Sequence, residues 1–204
     1  LRLAQEAGAE AAIAAAYMQL GQLHFVAGDD GGYREAFHHY ERALEIRRRS
    51  GDAASIADSL AHIATIHMSR GELRQAAERL SEAMKLRKAA GDRAGEAKAL
   101  LGWGNVLYAQ GAPEGAVDAW REGLQLAERI GDRELIGKLL NNLGEVYLEL
   151  GELDLARGAL QEAREVTVEI GDQLSTADVL RNLGAVVLRE GDWEQALAYV
   201  DESV

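Results

Sequence analysis

The chain has no cysteine, one proline and two phenylalanines among its 204 residues. The missing cysteine excludes disulfides, thiolate zinc sites, iron–sulfur clusters and cysteine nucleophiles, and a single proline excludes a proline-rich linker. Long hydrophobic runs are also missing. The longest, Ala11–Met18, has eight residues, whereas a membrane-spanning helix needs about 20. We therefore expect neither a disulfide scaffold nor a membrane span.

Positive charge is scarce, because 22 Lys and Arg stand against 34 Asp and Glu and leave a formal net charge of −12. An acidic chain repels phosphate backbones and anionic lipid surfaces, so neither nucleic acid nor a membrane is predicted as a direct partner. The sequence does not open with a basic stretch followed by an apolar one, as a secretion signal does, and we expect a cytoplasmic location.

Glycine, by contrast, is plentiful and regularly spaced. An interior glycine costs a helix roughly 1 kcal/mol relative to alanine, so glycines in a helical chain should mark helix ends or points of close packing. Fourteen of the 22 glycines lie on a grid with a period of 40 residues, which lengthens to 43 near the N-terminus. The grid comprises Gly51, Gly91, Gly131 and Gly171, each followed by Asp; Gly71, Gly111, Gly151 and Gly191; Gly104, Gly144 and Gly184; and Gly8, Gly21 and Gly28.

Apolar residues between these glycines recur at helical spacing, as over 132–150 and 152–170. Each 40-residue repeat is therefore predicted to hold two amphipathic helices. Glycines such as Gly151 should end helices in the left-handed conformation, an Asp after the glycine should cap the next helix, and Pro113 should begin one. The mid-helix glycines should let two helices approach closely. They are expected to face Ala116, Ala156 and Ala196, twelve positions on.

This pattern resembles the tetratricopeptide repeat (TPR) family, in its long 40-residue variety found in kinesin light chains, Leu-Gly-Asn scaffolds and bacterial signalling ATPases and transcription regulators. One repeat carries the motif at Leu143, Gly144, Tyr147, Gly151, Ala156, Leu160 and Ala163, and four others match at most of these positions. Gly-Asp replaces the proline that usually closes a repeat. The resemblance implies an all-α fold, a right-handed α-solenoid of antiparallel helix pairs.

The repeats divide the whole chain, 1–204, as a single TPR array. The expected boundaries are 1–8 for the tail of a preceding repeat, then 9–50, 51–90, 91–130, 131–170 and 171–204, the last truncated. Neither end carries a polar capping helix. We therefore expect a fragment of a longer protein whose uncapped ends allow oligomerisation.

No residue pattern indicates catalysis, a metal site or a cofactor, and we expect no enzymatic activity. His24 and His67 occupy the position that Tyr147 fills in a later repeat, so packing is the favoured interpretation over metal binding. His38 and His39 are adjacent and point apart on a helix.

The resemblance implies instead a concave surface lined by the first helix of each repeat, where a peptide or partner segment lies. Amides along this surface could pair with an extended backbone, and Lys138, Arg181 and Arg189 could hold a carboxylate, although pairing with nearby acidic residues is the alternative. An apolar stretch around Met18, Phe25, Val26 and Met68 is a second candidate surface. The predicted peptide-binding residues are Asn105, Tyr108, Lys138, Asn141, Asn142, Glu145, Arg181, Asn182 and Arg189.

The chaperone carboxylate clamp of this family is not expected. Asn105 and Asn142 match its two Asn positions, but Leu101, Asp178 and Asn182 replace its basic residues. The predicted function is a non-catalytic scaffold that binds a protein or peptide segment, within the same parent chain or from another protein. The alternatives are a ligand-sensing or autoinhibitory arm of a larger bacterial ATPase or transcription regulator, and a structural oligomerisation spacer.

Overall fold

The computed structural model describes residues 2–202, and side chains from Gly8 onward. These residues form ten α-helices and no strand, which confirms the all-α solenoid class. Within the described residues, no helix is long and apolar enough to cross a membrane. The helices are α1 (Arg2–Val26), α2 (Asp30–Ser50), α3 (Ala53–Ser69), α4 (Leu73–Ala89), α5 (Arg93–Ala109), α6 (Pro113–Ile130), α7 (Arg133–Leu150), α8 (Leu153–Glu169), α9 (Gln173–Arg189) and α10 (Trp193–Glu202).

Left-handed glycines separate consecutive helices, as the grid predicts. Nine glycines have φ between 66° and 89°, a region that other residues rarely adopt. They are Gly28, Gly51, Gly71, Gly91, Gly111, Gly131, Gly151, Gly171 and Gly191. The prediction is wrong at Gly8, which lies inside α1. Ala9 and Glu10 follow Gly8, so no Asp is present to cap a new helix and these strong helix formers continue the old one.

Aspartates after the glycines cap the next helices. The carboxylate of Asp92 accepts a hydrogen bond from Gly95 N at 2.9 Å, and those of Asp132 and Asp172 accept from residues three positions on at 3.1 Å. Helix α6 begins at Pro113, as predicted. The tail predicted for residues 1–8 begins at Leu1, which lies outside the described residues, as do Ser203 and Val204.

The chain divides into two compact units, Leu1–Gln110 and Gly111–Val204, here called the N-terminal and C-terminal units. In the N-terminal unit, consecutive helices pack in pairs from α1 to α5, and α3 also contacts α5. Its core includes the fully buried Tyr40, Leu60 and Ile63. In the C-terminal unit, α6 to α10 pack in the same way, α7 also contacts α9, and Leu139, Leu160 and Leu180 are buried.

Mid-helix glycines of the C-terminal unit are packing points, but the partner differs from the prediction at one of them. A Cβ at Gly144 would collide with the side chain of Leu160 rather than with Ala156, because the leucine reaches across to the smaller residue. At Gly184 the nearest atom is the Ala196 carbonyl oxygen, 3.6 Å from the Cβ position, as expected.

Candidate functional site

Two of the amides predicted to line the concave surface of the C-terminal unit, Asn141 and Asn182, hydrogen bond to each other. Asn182 Nδ2 on α9 donates to Asn141 Oδ1 on α7 at 3.0 Å, and Asn182 is buried. Asn142 is half-buried on α7, while Glu145 is exposed one turn further on. The structure therefore brings Asn141 and Asn182 together, and a ligand that used both amides would have to replace their mutual hydrogen bond.

The three basic residues of this unit do not form one cluster of uncompensated charge. Lys138 Nζ lies 2.6 Å from Glu134, and Arg181 lies 3.1 Å from Asp178 on the same helix turn. Arg189 is exposed at the end of α9, and among the side chains of residues 8–202 it has no ion-pair partner. Lys138 and Arg181 therefore follow the alternative given in the sequence analysis, pairing with nearby acidic residues.

The N-terminal unit instead holds an open cavity on its first helices. It has a volume of about 490 Å³ and lies between α3 and α5. Asn105, one of the predicted residues, lines it, and Tyr108 lies half-buried one turn further along α5. The lining residues are Ala61, Ala64, Thr65, Met68, Ser69, Leu80, Lys98, Leu101, Gly102 and Asn105.

Gly102 explains why this cavity exists. A Cβ there would lie 3.1 Å from Leu80 Cδ2, so the glycine lets α5 pass close over the buried Leu80 and adds no side chain to the space above it. Two repeats later, 80 residues on, the same position holds Asn182, whose side chain occupies the space beside Asn141. The sequence pattern offered no reason for Gly102, because it lies off the grid.

The cations that flank the two surfaces also differ. Lys138 has Glu134 four residues before it, where an ion pair can form along a helix, whereas Lys98 has Ala94. Lys98 is exposed, lines the cavity, and forms no ion pair within the described part of the chain. Lys98, Leu101 and Gly102 were not among the peptide-binding residues predicted from the sequence. The missing ion-pair partner of Lys98 is the signal that could have identified this residue.

The apolar surface predicted near the N-terminus does not form as one patch. Met18 and Phe25 are partly buried against the core cluster around Tyr40, and the Met18 sulfur accepts from the Ser59 hydroxyl at 3.6 Å. Val26 is 73% exposed, and Met68 lines the cavity described above. Met68 is also partly buried, against the core cluster around Leu80, and it lies on a different helix from Val26.

His24 and His67 pack against neighbouring rings, as the repeat pattern predicts. His67 is buried against the ring of Phe37, and its Nδ1 hydrogen bonds with Glu72 at 2.6 Å. His24 stacks on His39, with ring centroids 5.3 Å apart. Burial, followed by the charges of His24 and His38, lowers the pKa of His39. Among the described residues, no group of three His, Asp or Glu is arranged to hold a metal ion.

Comparisons with known proteins place this geometry in context. The chain aligns with solved structures of BtubC (BKLC) from P. vanneervenii (21% identity, 100% of this chain, 90% of that chain, TM-score 0.76). It also aligns with a Rap protein complexed with Competence and Sporulation Factor (18%, 92% of this chain, 52% of that chain, 0.80). A third match is the Rap conjugation gene regulator of plasmid pLS20 in complex with the Phr* peptide (20%, 92%, 51%, 0.74).

The chain spans about half of the length of the two Rap proteins, and at these identities the likeness concerns the fold. Comparison with curated proteins gives no match. The family model described as tetratricopeptide repeat matches residues 9–89, 95–167 and 135–204, which together cover most of the chain. The chain belongs to the tetratricopeptide repeat family.

Proposed function

We propose that this chain is a non-catalytic, cytoplasmic scaffold that binds a peptide or protein segment on the first helices of its repeats. The observation that carries the proposal is the open cavity between α3 and α5, both first helices, which combines an apolar floor with polar residues at its edge. Pockets of about 300–1,000 Å³ with a few polar groups are typical binding sites. The cavity of about 490 Å³ lies within that range.

Two structural neighbours support a peptide as the bound class. The Rap structures, which share the fold, are complexes with Competence and Sporulation Factor and with the Phr* peptide. An extended peptide binds helical surfaces through backbone and side-chain contacts, and amides supply both donors and acceptors for its backbone. We assign this role to Asn105 and Tyr108 in the N-terminal unit. In the C-terminal unit, we assign it to Lys138, Asn141, Asn142, Glu145, Arg181, Asn182 and Arg189.

A displayed library of random twelve-residue peptides tests the proposal. We expect the chain to enrich peptides that bind specifically, and amide NMR shifts on their addition to map to α3 and α5 or to α7 and α9. Asn142→Ala combined with Asn182→Ala should weaken peptides that map to α7 and α9 by about 1–3 kcal/mol, through lost hydrogen bonds. No enrichment, or shifts confined to second helices such as α4 and α8, would contradict the proposal.

A second candidate is a ligand-sensing arm of a larger regulator. The observation that favours it is the pLS20 neighbour, a gene regulator of about twice the length spanned by this chain. In that case the bound segment belongs to a signalling peptide or to the same parent chain. A segment of the parent chain that competes with selected peptides for the cavity would distinguish this candidate from a scaffold for separate proteins.

A further inference from the structure

The cavity in the N-terminal unit has two chemically different sides. Its floor is the nearly fully buried Leu80, and Ala61, Met68 and Leu101 form apolar walls. Thr65 and Lys98 add polar groups at its edge. An apolar side chain that enters the cavity contacts the floor and walls and loses water, which favours binding by about 25 cal/mol for each Å² of apolar surface buried. Methionine adapts to side chains of different shape.

The positive charge of Lys98 at the edge of the cavity further limits which peptide segments can bind there. Lys98 is an exposed cation with no ion pair among the side chains of residues 8–202, on a chain whose formal net charge is −12. The charge of Asp92 also acts on Lys98, but the ion pair of this carboxylate is with Arg87. A carboxylate brought beside Lys98 would therefore gain a partner without displacing one.

We propose that this cavity binds a segment in which a Leu, Ile or Met side chain is followed directly by an Asp or Glu. The apolar side chain lies in the cavity above Leu80, beside Gly102, and the acidic side chain pairs with Lys98 Nζ. This inference rests on the proposed function and adds the chemistry of the bound segment. It commits to a side-chain carboxylate, because Leu101 stands where the family's clamp for a terminal carboxylate would carry a basic residue.

Small capped dipeptides test the chemistry directly. The chain contains three methionines, and with ¹³C-labelled methyl groups each gives its own NMR signal. We expect N-acetyl-Leu-Asp-amide to shift the Met68 methyl signal in a saturable way at millimolar concentrations, while the signals of Met18 and Met84 stay in place. N-acetyl-Leu-Asn-amide should bind about threefold more weakly, the contribution of one exposed ion pair. N-acetyl-Ala-Asp-amide should bind at least about tenfold more weakly, because most of the buried side chain is missing.

Two substitutions with matched controls assign the binding to named residues. Gly102→Asn introduces the residue that the C-terminal unit has at this repeat position, and we expect it to reduce binding by at least about tenfold by filling the cavity. Gly158→Asn is its control, because nothing lies within 4 Å of a Cβ at Gly158. Lys98→Gln should make the Leu-Asp and Leu-Asn dipeptides bind equally. Its control, Lys88→Gln at an exposed position near the end of α4, should leave their difference unchanged.

A variant from the opposite wall keeps the test independent of Gly102. Ala61→Leu fills the same cavity from α3 without moving Leu80, and it should reduce binding as Gly102→Asn does. A Met68 signal that does not move, equal binding of all three dipeptides, or unchanged binding by both filled variants would overturn the inference. Tighter binding of N-acetyl-leucine with a free carboxyl group would overturn the choice of a side-chain carboxylate.

The displayed library separates failure of this inference from failure of the proposed function. Enriched peptides that map to first helices, lack an apolar–acidic pair and bind Gly102→Asn normally would leave the proposed function standing and contradict the inference. A library with no enrichment would contradict the proposed function itself. Enriched peptides that carry the pair and lose binding in both filled variants would support both.

Discussion

The two units of the molecule have the same kind of repeat surface on their first helices, but the side chains at equivalent positions differ. In the C-terminal unit, Asn141 and Asn182 hydrogen bond across neighbouring first helices, and Lys138 pairs with Glu134. In the N-terminal unit the position of Asn182 is a glycine, Gly102, and Lys98 has no carboxylate beside it. The C-terminal surface pairs Lys138 and two of its amides but leaves Arg189 without an ion pair, whereas the N-terminal surface leaves a cavity beside the exposed Lys98. Equivalent repeat positions can therefore differ in whether they leave a cavity open.

The sharpest test of this difference uses glycines that meet the same repeat leucine. Gly144→Ala should destabilise the protein by about 2 kcal/mol, because its Cβ would collide with the fully buried Leu160. Gly102→Ala should change stability by less than about 0.5 kcal/mol, since Leu80 borders an open cavity into which it can shift and alanine favours the helix. Urea unfolding followed by circular dichroism measures both. Equal losses would show that Leu80 is as confined as Leu160.

The amide pair of the C-terminal unit provides a smaller effect. In a double-mutant cycle, Asn141→Ala and Asn182→Ala should show a coupling of about 1 kcal/mol in the free energy of unfolding, the typical contribution of one hydrogen bond. The equivalent positions in the N-terminal unit are Ala61 and Gly102. They have no side-chain polar groups and serve as the comparison without this hydrogen bond. Additive losses at Asn141 and Asn182 would mean that the pair contributes nothing and that both amides are available to a ligand.

The smallest effect concerns the aspartate caps and their pH dependence. A hydrogen bond from Gly95 N and then the Arg87 guanidinium lower the pKa of Asp92, while a hydrogen bond from the Ser175 hydroxyl is the main cause that lowers the pKa of Asp172. Both carboxylates therefore contribute stability above the ordinary Asp pKa of about 3.9, and the protein loses it as the pH falls through the lowered values.

Arg87→Gln separates the two caps. It should raise the pKa of Asp92, so that the loss of stability in acid begins at a higher pH, and it should leave the pKa of Asp172 unchanged. A ¹³C NMR titration of the carboxyl groups measures both values in one sample. A pKa of Asp92 that does not move would show that Arg87 does not contribute to lowering it.

The sequence predicted the fold well because its signals are local and repeated. Nine left-handed glycines, the aspartate caps and the start of α6 at Pro113 follow from the residues within one turn of each. The helix end predicted at Gly8 was wrong for an equally local reason, because no Asp follows this glycine. The surface was harder to predict, because it depends on contacts between different helices. Asn182 and Asn141 are 41 residues apart in the chain, and Gly102 and Leu80 are 22 residues apart.

The turns between helices have a consequence for how such a chain can vary. Consecutive helices are joined by only two or three residues, one of which is a left-handed glycine, so the connections are short. Deleting or inserting one residue inside a helix would rotate the part beyond it by about 100° and turn the apolar face of that part away from its neighbours. Whole repeats can instead be gained or lost without disturbing the rest, since each contacts mainly its neighbours. Length changes in this lineage should therefore come in steps of 40 residues, except near the N-terminus, where the spacing is 43.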